Sequence, residues 1–390
     1  MLDGRRPAEE VTFDVVVIGG GVNGLSAAWN LTRLGARRVA LVERFCVGHD
    51  RGSSHGKSRI ARSAYPEASY VRLMRRAFDE EWPRFERDAG RRLLHRTPAF
   101  FFGPPDGSLG AYAKAVADAG ADVERVPPAD ARKLAPQFRF EGCDDVLVDH
   151  TAGLVAAADV VESLDRLVRA AGVDVREETI VASIEPRAGH VEVATDRGAL
   201  VADRVIVTAG AWTSRLVPSL APRLSVARQT IGYFEIEGGA DAARLGVFPV
   251  WCQMGATVND FHYGLPAFGR DGIKAAQHVT SLRDEDPDVV PAGPDEKSLA
   301  DLRAFLDREL AVKIVRRVGA ETCLYTNTPT EDFVIDLLPG EPRIVVGSAC
   351  SGHAFKFAPL TGRALAELAT NGRTSMPEFE SMRATFAIAR

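Results

Sequence analysis

Apolar residues near the start of the chain form a near-continuous run, Val15 to Ile18 after Phe13, which is the pattern of a strand buried on both faces. From Val22 to Leu34 the apolar spacing turns helical, Gly35 closes that helix, and Val39 to Val42 predict a second buried strand. Helical spacing returns at Val71, Leu73, Met74 and Phe78, and the run L-L-H-R-T-P-A-F-F-F-G then predicts one strand. A short amphipathic helix is expected over Ala111 to Ala119, and a second apolar stripe runs from Val160 to Val168 before Gly172. Short strands follow at V-D-V, T-I-V-A-S-I and V-E-V-A-T, then a fully apolar strand within Ala202 to Trp212 that stops at Ala209-Gly210. Further strands are expected at R-Q-T-I-G-Y-F-E-I and F-H-Y-G-L-P-A-F, separated by Asp/Pro-rich loops from a helix over Leu299 to Leu310. The last predicted pair is a buried strand, R-I-V-V-G-S-A, and an Ala/Leu-rich helix after it.

This succession predicts an α/β chain with α+β elements, in which a Rossmann-like dinucleotide domain is interleaved with an antiparallel-sheet substrate domain. A length of 390 residues makes two domains the expectation. The expected division is a flexible tail at 1–12, dinucleotide-domain segments at 13–70, 151–222 and 321–390, and substrate-domain segments at 71–150 and 223–320.

Between the first strand and helix stand Gly19, Gly21 and Gly24 in G-x-G-x-x-G spacing. The first permits the tight turn, the second lets backbone approach a pyrophosphate, and the third lets helix and sheet pack closely. The helix N-terminus then offers free N–H groups and a favourable dipole to a diphosphate. Glu43 ends the second strand 19 positions after Gly24, where a carboxylate can accept hydrogen bonds from the hydroxyls of an adenosine ribose. Together these predict a bound adenine dinucleotide, with FAD and NAD both compatible. The next segment is loop chemistry rather than a further βα unit. Ser54 and its glycine neighbours are rich in donors, and His55, Arg59 and Arg62 supply cations for a ring system or an anionic substrate, or else form a solvated basic loop. Gly210 marks backbone passing close to a ligand. Arginine dominates the basic residues, and lysine occurs only at 57, 114, 133, 274, 297, 313 and 356. Lys356 lies between two phenylalanines and calls for an anionic partner.

Charge and composition narrow the function classes. A formal net charge of −5 without a basic aromatic stripe argues against nucleic acid. No apolar run long enough for a membrane span or signal peptide is present, so a cytoplasmic location is expected. Five cysteines without a C-x-x-C pair argue against a disulfide framework, and eight scattered histidines predict no metal.

Four further motifs carry a resemblance: S-H-G-x-S-R-I-x-R-x-A-Y at Ser54 to Tyr65, G-I-K at Gly272 to Lys274, C-L-Y-T at Cys323 to Thr326, and S-G-H-x-F-K-F at Ser351 to Phe357. With them the chain, from Phe13 to about Thr370, resembles the monomeric sarcosine oxidase and N-methyltryptophan oxidase branch of the D-amino acid oxidase superfamily of flavoproteins. The resemblance implies FAD held by the N-terminal unit and joined covalently through Cys323. It implies oxidation of a C–N bond in a secondary amino acid such as sarcosine, another N-methyl amino acid or pipecolate, with O2 reduced to peroxide. Arg62 and Lys356 match the pair that grips the substrate carboxylate. His278 and Tyr325 match the amine pocket, and Tyr263 and Met254 match other positions around the substrate. Lys274 matches the lysine that serves oxygen reduction. His55 and Arg59 match basic residues near the flavin, and Gly352 and His353 belong to the loop beneath it. Cys350 departs from the family pattern beside that loop, and Trp251 is expected to restrict or stack on the substrate. A tailoring enzyme using another acceptor, or a flavin-binding protein without turnover, are the alternatives. A monomer is the expected state.

Overall fold

The computed structural model describes residues 13–257, 260–278, 285–290, 293–348 and 350–388. The tail expected at 1–12 lies outside the described residues, as do parts of the Asp/Pro-rich loops.

The apolar run at the start forms the strand Phe13–Ile18, placed between Val39–Val42 and Gly198–Val207, both parallel to it. Asp174–Arg176 extends the sheet on one side, and Glu341–Ser348 with antiparallel Val334–Leu338 on the other. The hairpin Val181–Pro186 and Val191–Thr195 pairs with the first half of Gly198–Val207. Flanked by neighbours and covered by helices, these strands need apolar residues on both faces, which explains the continuous Val/Ile runs. The helices Val22–Arg33 and Ala358–Asn371 pack closely because Gly362 leaves room where a Cβ would collide with Ser26. Gly24 serves the same purpose against the sheet. A Cβ there would collide with the carbonyl oxygen of Gly19 and stand 2.6 Å from Thr208 Oγ1, whose hydroxyl donates to Ile18 O at 2.9 Å.

The second large sheet runs in the order Ile314–Asn327, Ser225–Ile236, Ile273–His278, Phe261–Leu265, Val250–Met254, Ala99–Phe102, Val146–Asp149, Val123–Val126. Its neighbours are antiparallel except Val250–Met254 against Ala99–Phe102. A small third sheet joins Ser58–Ala61, Gly153–Ala156 and Leu94–Arg96. The segment L-L-H-R-T-P-A-F-F-F-G is therefore two strands in two sheets. Pro98, which lacks an N–H, stands at the break between Leu94–Arg96 and Ala99–Phe102. The helix expected over Leu299 to Leu310 starts earlier, at Glu296, because Asp295 accepts from Lys297 N–H and caps it. The expected division at 320/321 falls inside one continuous strand, Ile314–Asn327, of the antiparallel sheet. No helix among the described residues is long and apolar enough to cross a membrane.

Candidate active site

A cavity of about 500 Å³ extends from the glycine-rich turn to Lys356. At its first end, Gly19 to Asn23 bring the N-terminus of the helix Val22–Arg33 to the wall, with no acidic residue in its first turn. Val22 N–H donates to Ser54 Oγ at 3.0 Å, which ties the motif loop to the helix start. Glu43, buried, accepts from Gly20 N–H at 2.6 Å and Phe45 N–H at 2.8 Å while facing the cavity. Gly210, with φ of +53°, lines the same end.

The other end is built on one face of the antiparallel sheet. Side chains alternate along a strand, so Glu321, Cys323 and Tyr325 share a face, as do Lys274, Ala276 and His278, and Phe261, Tyr263 and Leu265. Register aligns these sets: Leu265 lies opposite Lys274, Phe261 opposite His278, and Cys252 opposite Tyr263. Strand Ser225–Ile236 bridges the first two sets, with Tyr233 opposite Lys274 and Ile231 opposite both Ala276 and Glu321. Apart from Tyr233 and Ala276, all of these side chains line the cavity.

Facing that sheet are two buried cations, Arg62 and Lys356. Arg62 donates to Ala64 O and lies 4.1 Å from the Tyr65 ring centroid. Lys356 Nζ donates to Tyr65 Oη at 2.8 Å and to His353 O at 2.7 Å. An ammonium has three N–H bonds, so one remains for a ligand. Neither cation forms an ion pair with a carboxylate among the described residues. Burial, and then the Arg62 guanidinium, hold the Lys356 ammonium well below the usual lysine range. His353 faces Glu331 O through Nε2 at 3.0 Å, and a carbonyl only accepts, so Nε2 carries the proton. Burial and Lys356 keep this ring neutral. Nδ1 therefore accepts from Tyr65 Oη at 3.1 Å, leaving the Tyr65 oxygen to accept from Lys356. Gly352, with φ of +71°, passes so near the Tyr325 ring that a Cβ would collide with it and stand 2.8 Å from His278 Cε1. His278 stacks on Phe261 at 4.4 Å and reaches Glu331 Oε2 at 3.5 Å.

Lys274 Nζ donates to Ser58 O at 3.0 Å and stands 3.7 Å from Glu321 Oε1. Burial and Arg59 bring its pKa down to about 8. Arg59 itself is held by carbonyl oxygens of Ser53, His55 and Ser58, so its charge is fixed at the wall. Cys323 is buried, and burial pushes its thiol up to about 11. Cys350 also lines the cavity, its Sγ accepting from Thr326 N–H at 3.4 Å.

Four expected positions are placed elsewhere. His55 lies behind the wall, Nε2 directed at Thr322 O at 2.9 Å, because Arg59 takes the cavity side of that loop. Met254 is packed in the core beyond the end of the cavity, and Cys252, two residues earlier on the same face, forms the wall instead. Trp251 is one residue from Cys252 and so points to the opposite face, where it stacks on Phe305. Gly24 acts through packing and does not reach the cavity. Glu321, Cys252, Tyr65 and Glu331 were not anticipated. For Glu321 a signal existed: it stands two residues before Cys323, hence on the same face of a strand.

A sequence profile for the DAO family, described as FAD dependent oxidoreductase, matches residues 14–368. The peroxisomal sarcosine oxidase of Mus musculus is 32% identical over 362 residues, 91% of this chain and 92% of that protein. The monomeric sarcosine oxidase of Bacillus sp. (strain NS-129) is 30% identical over 374 residues, 93% of this chain and 94% of its own length. Among solved structures, NikD, an unusual amino acid oxidase essential for nikkomycin biosynthesis, superposes with a TM-score of 0.80 at 25% identity, covering 97% of this chain and 98% of that one.

Proposed function

The chain belongs to the family of FAD dependent oxidoreductases, and from that premise we propose that it oxidises the C–N bond of a secondary amino acid, with O2 as the electron acceptor. The donor chemistry of the cavity fits FAD. A helix N-terminus whose N-cap is a glycine without a capping side chain, together with the glycine turn, suits the diphosphate, Glu43 suits the ribose, and the sheet face suits a flat ring. When bound, FAD would supply a two-electron acceptor for the C–N bond and a donor to O2: the amine would lose two electrons and two protons to become an imine, and O2 would gain both to become H2O2.

The observation that carries the substrate class is the buried Arg62–Lys356 pair, which lacks a carboxylate partner among the described residues. A buried cation pair of this kind is costly unless an anion arrives. Arg62 offers a planar donor fork and Lys356 its remaining N–H, so a substrate carboxylate is both oriented and neutralised. The same two charges lower the pKa of a nearby substrate amine, favouring the unprotonated form that yields a hydride equivalent. His278 and Tyr325, held against Gly352, shape the region around that amine. Cys252 and Tyr263, which face each other across the strands, bound the pocket for the substrate side chain. Lys274 supplies a cation at the ring face for the charge that develops on oxygen. Cys323, on the cavity wall beside it, is the attachment point for FAD in this reading.

Two measurements test the proposal. Peroxide should accumulate with a panel of N-methyl and cyclic secondary amino acids, and a protein that is reduced by them without forming peroxide uses another acceptor. After acid precipitation the yellow colour should stay in the pellet. Flavin released to the supernatant would retain FAD but remove the attachment role of Cys323.

A further inference from the structure

One carboxylate reaches the otherwise cationic wall of the cavity beside Lys274. Glu321 lies on the cavity face of the strand Ile314–Asn327, its side chain largely shielded from solvent. Tyr233 Oη donates to Glu321 Oε1 at 2.6 Å, and Lys274 Nζ is 3.7 Å from the same oxygen. Arg270 approaches the second oxygen at 3.5 Å and also lies 4.1 Å from the Tyr233 ring centroid, closing the outer side. Gly56, with φ of +89°, lets the loop pass between them, since a Cβ there would stand 3.2 Å from both Arg59 Nη1 and Glu321 Oε1. Glu321 is therefore fixed by Tyr233 and Lys274 on two different strands and by Arg270 on a loop.

We infer that Glu321 is a positioning residue for Lys274: with Tyr233 it holds the ammonium at the cavity wall, offsets repulsion from Arg59, and sets the pH range over which Lys274 stays charged. This rests on the reading that Lys274 serves oxygen reduction. The groups facing Lys274 divide cleanly by sign. Burial and Arg59 favour its neutral form, with His55 behind the same loop, whereas Glu321 favours the charged form; Cys323, as a thioether to the flavin, would carry no charge there. Tyr233 and Tyr263, on the adjoining strands, are held neutral by burial. With the pKa brought to about 8, Lys274 sits near working pH, so the carboxylate beside it among the described residues has leverage on its charge. A lysine with an ordinary pKa would give Glu321 no such influence.

The test is stopped-flow reoxidation of the reduced holoenzyme by O2 between pH 6 and 10, paired with a pH titration of the visible flavin spectrum of the oxidised enzyme. In the wild type, reoxidation should fall as pH rises through the Lys274 pKa, and the spectrum should inflect at the same pH. Glu321→Gln removes the charge that raises this pKa, so both features should move to lower pH by roughly one unit. Glu321→Asp should restore part of the shift. Tyr233→Phe, which removes only the hydroxyl that anchors Glu321, should move both features slightly in the same direction and serves if Glu321→Gln does not fold. An unmoved limb and inflection in these variants, with both abolished by Lys274→Met, would overturn the role of Glu321 and leave that of Lys274 intact. Unimpaired reoxidation in Lys274→Met would instead remove the premise, while the spectral inflection still reports whether Glu321 controls the Lys274 charge.

Discussion

At the glycine-rich end of the cavity, a ligand's negative charge meets backbone N–H groups and a helix terminus. At the far end it meets side-chain cations: Arg62, Lys356, Arg59 and Lys274. Backbone donors do not ionise in the working pH range, so their strength does not change with pH. Buried ammonium groups are costly, and the lowered pKa values of Lys356 and Lys274 record that cost. The first end should be a pH-insensitive grip, while the second should change its affinity and reactivity as protons come and go. On the function proposed above, the constant end would hold the group that stays and the titrating end would handle the molecules that turn over.

The largest effect that would break this comparison is expected at Lys274. Lys274→Met should slow reoxidation by on the order of a hundredfold to a thousandfold, as removal of one well-placed electrostatic group does. Stopped-flow measurement of both half-reactions checks it, and equal slowing of reduction would count against the assignment.

Next comes the carboxylate grip. Lys356→Met should weaken binding of a simple carboxylate inhibitor by about a hundredfold, since it removes one of the two buried charges proposed to grip the anion. The pH response has a definite sign. The Lys356 pKa in the fold is depressed, and an anion prefers the protonated lysine, so wild-type affinity should fall as pH rises through that pKa. A spectral titration with the inhibitor should show this slope in the wild type and a flatter profile in Lys356→Met. A slope that survives the substitution would place the titrating group elsewhere.

At the other end the effects should be smaller and independent of pH. Gly24→Ala forces a Cβ into the Gly19 carbonyl, an overpacking expected to cost about 1–3 kcal/mol of stability. Thermal unfolding reads the loss, and an unchanged midpoint would mean that helix and strand can separate there without penalty. Glu43→Gln weakens charge-assisted bonds to Gly20 N–H and Phe45 N–H, and in a Cys323→Ser background, where the flavin is held without the covalent link, flavin affinity should drop about tenfold. A pH-dependent loss in that variant would blur the contrast between the two ends.

Cys252 and Trp251 show where reading along the chain stops. The residue types of the segment suggest an aromatic at the substrate, yet Trp251 stacks on Phe305 in the core and its neighbour forms the wall. Parity along a strand decides which of two adjacent residues faces a cavity, and parity is settled by pairing with distant strands. His55 and Arg59 divide in the same way, one behind the wall and one on it.

The sequence by itself determined the nucleotide end, because a strand, a glycine turn, a helix and a terminal acid within about thirty residues interact locally and leave a readable spacing. It also determined the supply of cations, through the motifs around Arg59, Lys274 and Lys356. Only the tertiary structure decided that Lys274, Cys323 and Glu321 share one sheet face, that Tyr65 and His353 orient Lys356, and that Arg62 and Lys356 meet without a counter-ion among the described residues. Those outcomes depend on strand register and on contacts between residues hundreds of positions apart, and one-residue shifts in register would exchange every wall residue for its neighbour.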